Sequence, residues 1–460
     1  MARHGHASAQ RGQALVAGLV LLAGAVAALV AMHRLGRIIE QRVRLTHAVD
    51  AAAYSGALLQ ARHLNAIAYA NRSQIAHQVA MAHLVTLAAS ARYLDSAQAQ
   101  ARRRNPPPSL LGNLFGARAG QAYRDMQGLP GAGAGLADAL ARHDAVVHGV
   151  LADVAAAEAR DLIAERDRIM SRVLHASFSG EQADGTHTVE VVDTPLAGLS
   201  LRVLDDSAAG FIERIAPGSG SGLADAARAA ARRYGFLASR DATRSGATAV
   251  LSSCPSLRNE LRRGGATWLG PDGRWAAVDT QSFHALRSNR WIGCYFREYA
   301  MGWGIALDGA SPPPASLRYA DAPPADFSQQ DFWRWVQAFA GWDLVAGTGN
   351  PLANSYGMAQ GRQAAGSGLP AYHDIARSRR GLPLSFTVQA RLAPNGVPET
   401  ARPGNPYART IMASSTAQTY FVRPSPSPDG RDELATLFRP YWQARLAAAG
   451  PAEEGQEGRP

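Results

Sequence analysis

The sequence has no lysine; all 47 of its basic residues are arginine. With 45 Gly, 26 Pro and abundant Ala, this bias reads as the imprint of a G+C-rich bacterial genome rather than a functional selection. Proline is missing before Pro106, and Gly56 is the only glycine between Arg37 and Arg104. The residues that interrupt helices are thus absent from a long N-terminal stretch rich in Ala, Leu, Val and Arg. Tryptophan is just as one-sided, since all 8 occur at or after Trp268. Two compositions are joined in one chain. Cysteine is scarce too: Cys254 and Cys294 stand alone, with no chelating CxxC pair. A self-contained zinc site is thereby excluded. What remains for the two cysteines is one disulfide, natural outside the cytoplasm, or a pair of buried free thiols. On the chain-entropy account a disulfide closing a loop of this size stabilises by about 3–4 kcal/mol.

Catalytic signatures are also lacking. The sequence contains no HExxH, no GxSxG and no Walker A motif. Gly131, Gly133 and Gly135 miss the dinucleotide-binding spacing. His77 and His83, six apart on a helix, point to different faces and do not share a metal. No catalytic residue, cofactor or metal is expected, so the chain reads as non-enzymatic. The formal charge of +10 raises the question of nucleic acid. The arginines are scattered, their only dense cluster is Arg102-Arg103-Arg104, and no binding motif accompanies them. No nucleic-acid partner is expected.

What the sequence does have is one long apolar run. Ala14 to Met32 is 19 residues without a charge, flanked by Arg11 and Arg34. At about 1.5 Å per residue it just spans a hydrocarbon core of about 30 Å. A retained transmembrane helix over 14–33 is the expectation. A cleaved signal peptide is the alternative, with cleavage after Ala25 or Ala27. The second flank carries Arg34, Arg37, Arg42 and Arg44, which by the positive-inside rule argues for a cytoplasmic bulk. The short leader, 1–13, and the cysteine pair argue for export, and the exported reading is adopted.

Beyond the span the pattern predicts an α+β protein. From Ala14 to Arg104 one nearly continuous helix is expected, up to about 135 Å if unbroken. Leu64, Ile67, Asn71, Ile75, Val79 and Val85 recur along it at helical steps, forming an apolar stripe with one Asn. These residues are predicted to contact a partner helix, with Asn71 fixing the register as buried Asn does in coiled coils. Asn65, Arg72, Gln74 and Gln78 are read as facing water. Pro106-Pro107-Pro108 ends the helix, and a second helical stretch runs from Leu136 to Ala176. Together they predict a helical hairpin stalk over 34–176.

A mixed α+β exported domain is expected over 177–447 and a disordered tail over 448–460. Strands are predicted at Thr186–Val192, through Ala266–Leu307 around a Pro271-Asp272-Gly273 turn, at Leu384–Leu392 and at Ala417–Val422. Helices are predicted at Leu223–Tyr234 and Glu433–Ala447. Loops are expected at Pro312–Pro314 and over the Pro/Ser run at 424–428.

Three segments carry a resemblance. They are Arg11-Gly12-Gln13-Ala14-Leu15-Val16 with Thr46-His47-Ala48-Val49-Asp50-Ala51-Ala52-Ala53, the helix Ala61-Arg62-His63-Leu64-Asn65 through Tyr69-Ala70-Asn71-Arg72, and Glu433 to Leu446. Together these resemble the TadE/TadG-like Flp pilus-assembly family. In that family a basic leader precedes a membrane helix and an Ala-rich segment with a DAAA run. Prepilins cut by the dedicated peptidase carry Glu at the fifth position after the cleavage-site Gly, whereas here that position is Ala17. The resemblance therefore points to the larger, TadG-like members, minor-pilin-like or assembly factors. It implies pilin-like membrane proteins, the pilus or secretion machinery and inner-membrane lipid as partners, with the C-terminal domain periplasmic. Two other readings stay open: a secreted hydrolase with an unrecognised site, and an envelope sensor stalk.

Overall fold

The computed structural model describes residues 13–104, 106–126, 133, 135–178, 199–207, 222–246, 252, 254–289, 293–306, 366–375, 383–393, 410–425, 430 and 433–447. The expected Thr186–Val192 strand, the Pro312–Pro314 loop, most of the leader, the tail and part of the 424–428 run lie outside them.

The fold is α+β, opening on one apolar helix, α1 (Gln13–Arg102), of 90 residues. Its length follows from the missing Pro and the near-absence of Gly. The turn after it holds Arg104 at φ 52°, just ahead of the triple proline. Two short helices follow, α2 (Pro108–Phe115), with Pro at its first position, and α3 (Ala117–Asp125). The helical stretch read over 136–176 is present as α4 (Leu136–Val146), a π-helical turn (Val147–Leu151) and α5 (Ala152–Ala176).

The chain divides into two compact units. The first comprises Met1–Ala66, Glu158–Ala216 and Ile375–Pro460, the second Ile67–Ala157 and Pro217–Asp374. The division passes through α1 and α5, where the sequence was read as one helical segment.

The first unit carries an antiparallel sheet in the order β1 (Leu199–Leu204), β6 (Leu384–Leu392), β7 (Ile411–Phe421), β8 (Trp442–Ala447). Leu384, Phe386, Val388 and Ala390 alternate along β6 and are fully buried. They meet Leu45, Val49, Ala53 and Ala57 of α1 and Met170 and Leu174 of α5 in one core. Gly56 permits this approach: a Cβ there would lie 2.6 Å from Met170 Sδ. Arg44 Nε donates to the Ser177 carbonyl (3.0 Å), and His63 Nδ1 lies 2.5 Å from Glu158 Oε2, so here α1 and α5 run antiparallel.

The second unit is a meander, β2 (Ala242–Ser245), β3 (Glu260–Leu269), β4 (Trp275–Asn289), β5 (Gly293–Ala306), with a helix α6 (Gly222–Ala231) before it. Strands β3 and β4 meet at the predicted turn, where Gly273 has φ 75°. Met81, Val85, Ala89 and Leu140 pack with Ala227 of α6 and with Trp275 and Ala277 of β4. On β5, Gly302 and Gly304 face α1: a Cβ at Gly302 would lie 2.8 Å from Ala97 Cβ, and one at Gly304 would collide with the Ala89 carbonyl. Between them, Ser96 Oγ donates to the Trp303 carbonyl (2.6 Å) and accepts from its N–H (2.7 Å).

One predicted element is wrong. Glu433–Ala447 is not a helix: residues 433–441 are irregular and Trp442–Ala447 is strand β8 on the edge of β7. Pro440 lacks the N–H and clashes with the preceding turn of a helix, and the open edge of β7 offers backbone partners instead.

Candidate functional site: the uncovered apolar end of the long helix

Helix α1 changes character at Leu45. Every residue from Leu15 to Arg44 is exposed, and from Leu45 onward one face is buried. The exposed part holds Leu15, Leu19, Leu22, Leu29 and Met32, each more than half exposed. It is the one helix among the described residues long and apolar enough to cross a membrane. Leaving so many large apolar side chains in water costs on the order of 1.5–3 kcal/mol apiece relative to burial. Beyond the span come Arg34, Arg37, Arg42 and Arg44, all on exposed helix.

The predicted partner stripe has a different fate. Leu64, Ile67, Asn71 and Val85 are at most 3% exposed, and Ile75 and Val79 are half-buried. Part of the stripe is expected to pack on the 136–176 helix and the remainder to stay free for another chain; these four positions leave no free surface.

The amides of α1 are likewise structural. Asn71 Nδ2 donates to the His373 carbonyl (2.7 Å) and Gln74 Nε2 to the Ala371 carbonyl (3.1 Å). Gln78 Oε1 accepts from Trp275 Nε1 (2.9 Å), and Asn65 holds both backbone groups of Trp442. Gln74 and Gln78, read as facing water, are buried; a buried amide must find partners, and main chain distant in sequence supplies them. Arg72 does face solvent.

Cys254 and Cys294 sit at disulfide distance, with Cα atoms 5.7 Å apart, beside Leu257 and Leu286. Two clusters were not legible beforehand. On β4, Ser282 Oγ lies 2.7 Å from His284 Nε2, a nucleophile–base spacing. Both residues are fully buried, and burial first, then Arg262, holds the His284 pKa well below its ordinary value. Neither side chain is exposed to solvent. The second cluster joins Asp279, also fully buried, to Arg240 (2.8 Å) and Arg263 (3.6 Å). Among the described residues no group of three or more His, Cys, Asp or Glu side chains is arranged to hold a metal ion.

No known protein family, curated protein or solved structure matches this chain.

Proposed function

We propose that this chain is a membrane-anchored, non-enzymatic component of a Flp-type pilus-assembly or secretion machine. The apolar end of α1 lies in the bacterial inner membrane and both units lie on its periplasmic side. One observation carries the anchoring: the charge-free run from Ala14 to Met32 is helical, its side chains from Leu15 onward are uncovered, and it continues without a break into the buried part of α1. Lipid removes that surface from water, and the long arginine side chains from Arg34 to Arg44 reach the headgroup level where the helix leaves the bilayer. The cysteine pair at bonding distance suits the oxidising side.

The assembly role rests on the resemblance of the leader, the DAAA segment and the Ala61–Arg72 helix to TadG-like proteins. Because Leu64, Ile67, Asn71 and Val85 are occupied internally, pilin-like partners meet this chain chiefly within the bilayer. There Gly24, Ala27, Ala28 and Ala31 allow close helix approach, and among the described residues nothing outside the helix lies within 4 Å of where a Gly24 Cβ would be.

Fractionation of native cells tests the anchor: the chain should be in the membrane fraction with Gln13 and the span retained, and protected from external protease at its N-terminus. A soluble protein beginning after Ala25 or Ala27 would overturn the anchor. A deletion strain that makes normal pili and secretes normally would overturn the assembly role.

A further inference from the structure

The second unit contains a cavity of about 370 Å³ between one face of its sheet, the end of α1 and the α2–α3 pair. Strand register explains its walls. Arg244 pairs with Leu261 and Ala242 with Arg263 across β2 and β3, and Arg263 pairs with Gln281 across β3 and β4. All five line the cavity, which puts Arg244 and Arg263 on one face as diagonal neighbours. Such neighbours have their Cβ atoms about 7–8 Å apart, close enough for two guanidinium groups to bracket one anion. Leu261, Met301 and Leu111 supply apolar wall.

The charge in this cavity is not balanced. Among the described residues its lining contains two arginines and no acidic residue. The carboxylate paired with Arg263, Asp279, is already held at two points by Arg240, Nε to Oδ1 at 2.8 Å and Nη2 to Oδ2 at 3.2 Å, and also accepts from Ser90 Oγ at 3.1 Å. Arg263 reaches it only at 3.6 Å and otherwise stacks over the Tyr93 ring at 5.0 Å. Among the described residues Arg244 has no carboxylate partner; one of its nitrogens donates to the Phe115 carbonyl (2.6 Å). The acceptor oxygen of Gln281 is taken by the Tyr93 hydroxyl at 2.5 Å, which leaves its NH₂ as a donor. Tyr93 and Tyr123 are held protonated by burial, so neither phenol supplies a negative charge. Hydrogen-bond donors thus gather at one corner of an otherwise apolar pocket, at the small end of the range for ligand sites.

We infer that this cavity binds a small organic carboxylate with an aromatic or branched apolar body, its carboxylate between Arg244 and Arg263. A planar carboxylate takes paired N–H donors from guanidinium groups, and the apolar body buries against Leu261 and Met301. The site is independent of the membrane anchor.

The test uses the full chain in detergent and three probes: 3-phenylpropionate, its primary amide, and inorganic phosphate, followed by calorimetry. The acid should bind at least 10-fold more tightly than the amide, and phosphate should bind more weakly than the acid. Arg263→Gln and Arg244→Gln should each weaken the acid about 10-fold while leaving the amide unchanged. Arg263→Gln also touches the Asp279 cluster, so Met301→Trp, which fills the apolar wall, provides a second route: it should abolish acid binding with the circular dichroism unchanged. Equal binding of acid and amide, or acid binding that survives both Arg244→Gln and Met301→Trp, would overturn the inference.

Discussion

Asn65 grips Trp442 by both backbone groups: its Oδ1 accepts from the Trp442 N–H (3.0 Å) and its Nδ2 donates to the Trp442 carbonyl (2.9 Å). A single helix side chain thereby fixes the first residue of β8, 377 positions away in sequence. Replacement by Leu removes both bonds and leaves two part-buried backbone groups without them. At about 1–3 kcal/mol for each of the two stranded groups, Asn65→Leu should cost about 2–6 kcal/mol in urea unfolding. Hydrogen exchange should quicken in β8 before it does in β6. Equal exchange in both strands would show that the clamp is not what holds the edge.

Gly304 makes the opposite kind of demand. The α1 backbone at Ala89 and Tyr93 occupies the space a Cβ would need, and backbone cannot swing aside. Gly304→Ala should therefore cost more than about 3 kcal/mol, in the range reserved for overpacked cores. Gly56→Ala faces only the flexible Met170 side chain and the Phe386 ring tip, and should cost about 1–2 kcal/mol. Thermal melts of the two variants should rank in that order.

These positions show what the sequence could and could not reveal. Strand β6 was legible from Leu384 to Leu392 because one face is buried and the other is not, so apolar and polar residues alternate. Helix α1 was legible because nothing in it stops a helix. The clamps were not, because an amide on a helix looks the same whether it meets water or a distant carbonyl. Only the fold brings Asn71 to His373 or Gln78 to Trp275. Strand β8 was misread for a related reason: its residues suit an amphipathic helix, and the exposed edge of β7 decided the outcome. The cavity depends on which residues of β2, β3 and β4 stand opposite one another, and register is not written in any one strand.

Acid should loosen the second unit. Burial lowers the pKa of His77, with the His143 ring 2.8 Å away adding to the effect; burial also lowers that of His373, and that of His284 much further. In the folded state these imidazoles stay neutral below the ordinary value of about 6.5, where the unfolded chain takes up protons. The unfolded state then binds more protons, so stability is fully present above about pH 6.5 and falls as pH falls below it. Urea midpoints should drop between pH 7.5 and pH 5. His284→Gln should flatten that dependence even if it lowers the midpoint at pH 7.5; a slope unchanged by the substitution would assign the acid sensitivity to other groups.

The cysteine pair gives a compartment-dependent prediction. Peptide mapping of protein from the native envelope should recover Cys254 and Cys294 in one linked fragment. Cys294→Ser should lower stability by up to about 4 kcal/mol on the chain-entropy account. Both thiols free and alkylatable in native material would remove the local support for a periplasmic location.

The most informative change separates anchoring from folding on one helix. The apolar span and the core residues of α1 do not overlap: exposure is continuous to Arg44, and burial begins at Leu45. A chain starting at Arg34 loses the charge-free run but keeps every buried residue among those described, and with them the bond from Arg44 to the Ser177 carbonyl. If lipid covers the span, this truncation should be soluble without detergent and unfold within about 0.5 kcal/mol of the full chain, as expected when no folded contact is removed. It should also no longer co-sediment with vesicles of uncharged lipid, to which the retained arginines give no electrostatic attraction. A chain starting at Ile67 removes Leu45, Val49, Ala53 and Ala57 from the core of the first unit and should not fold that unit at all. Were the Arg34 truncation to aggregate or unfold, the exposed helix would be covered by protein rather than lipid, and the anchor would need another location.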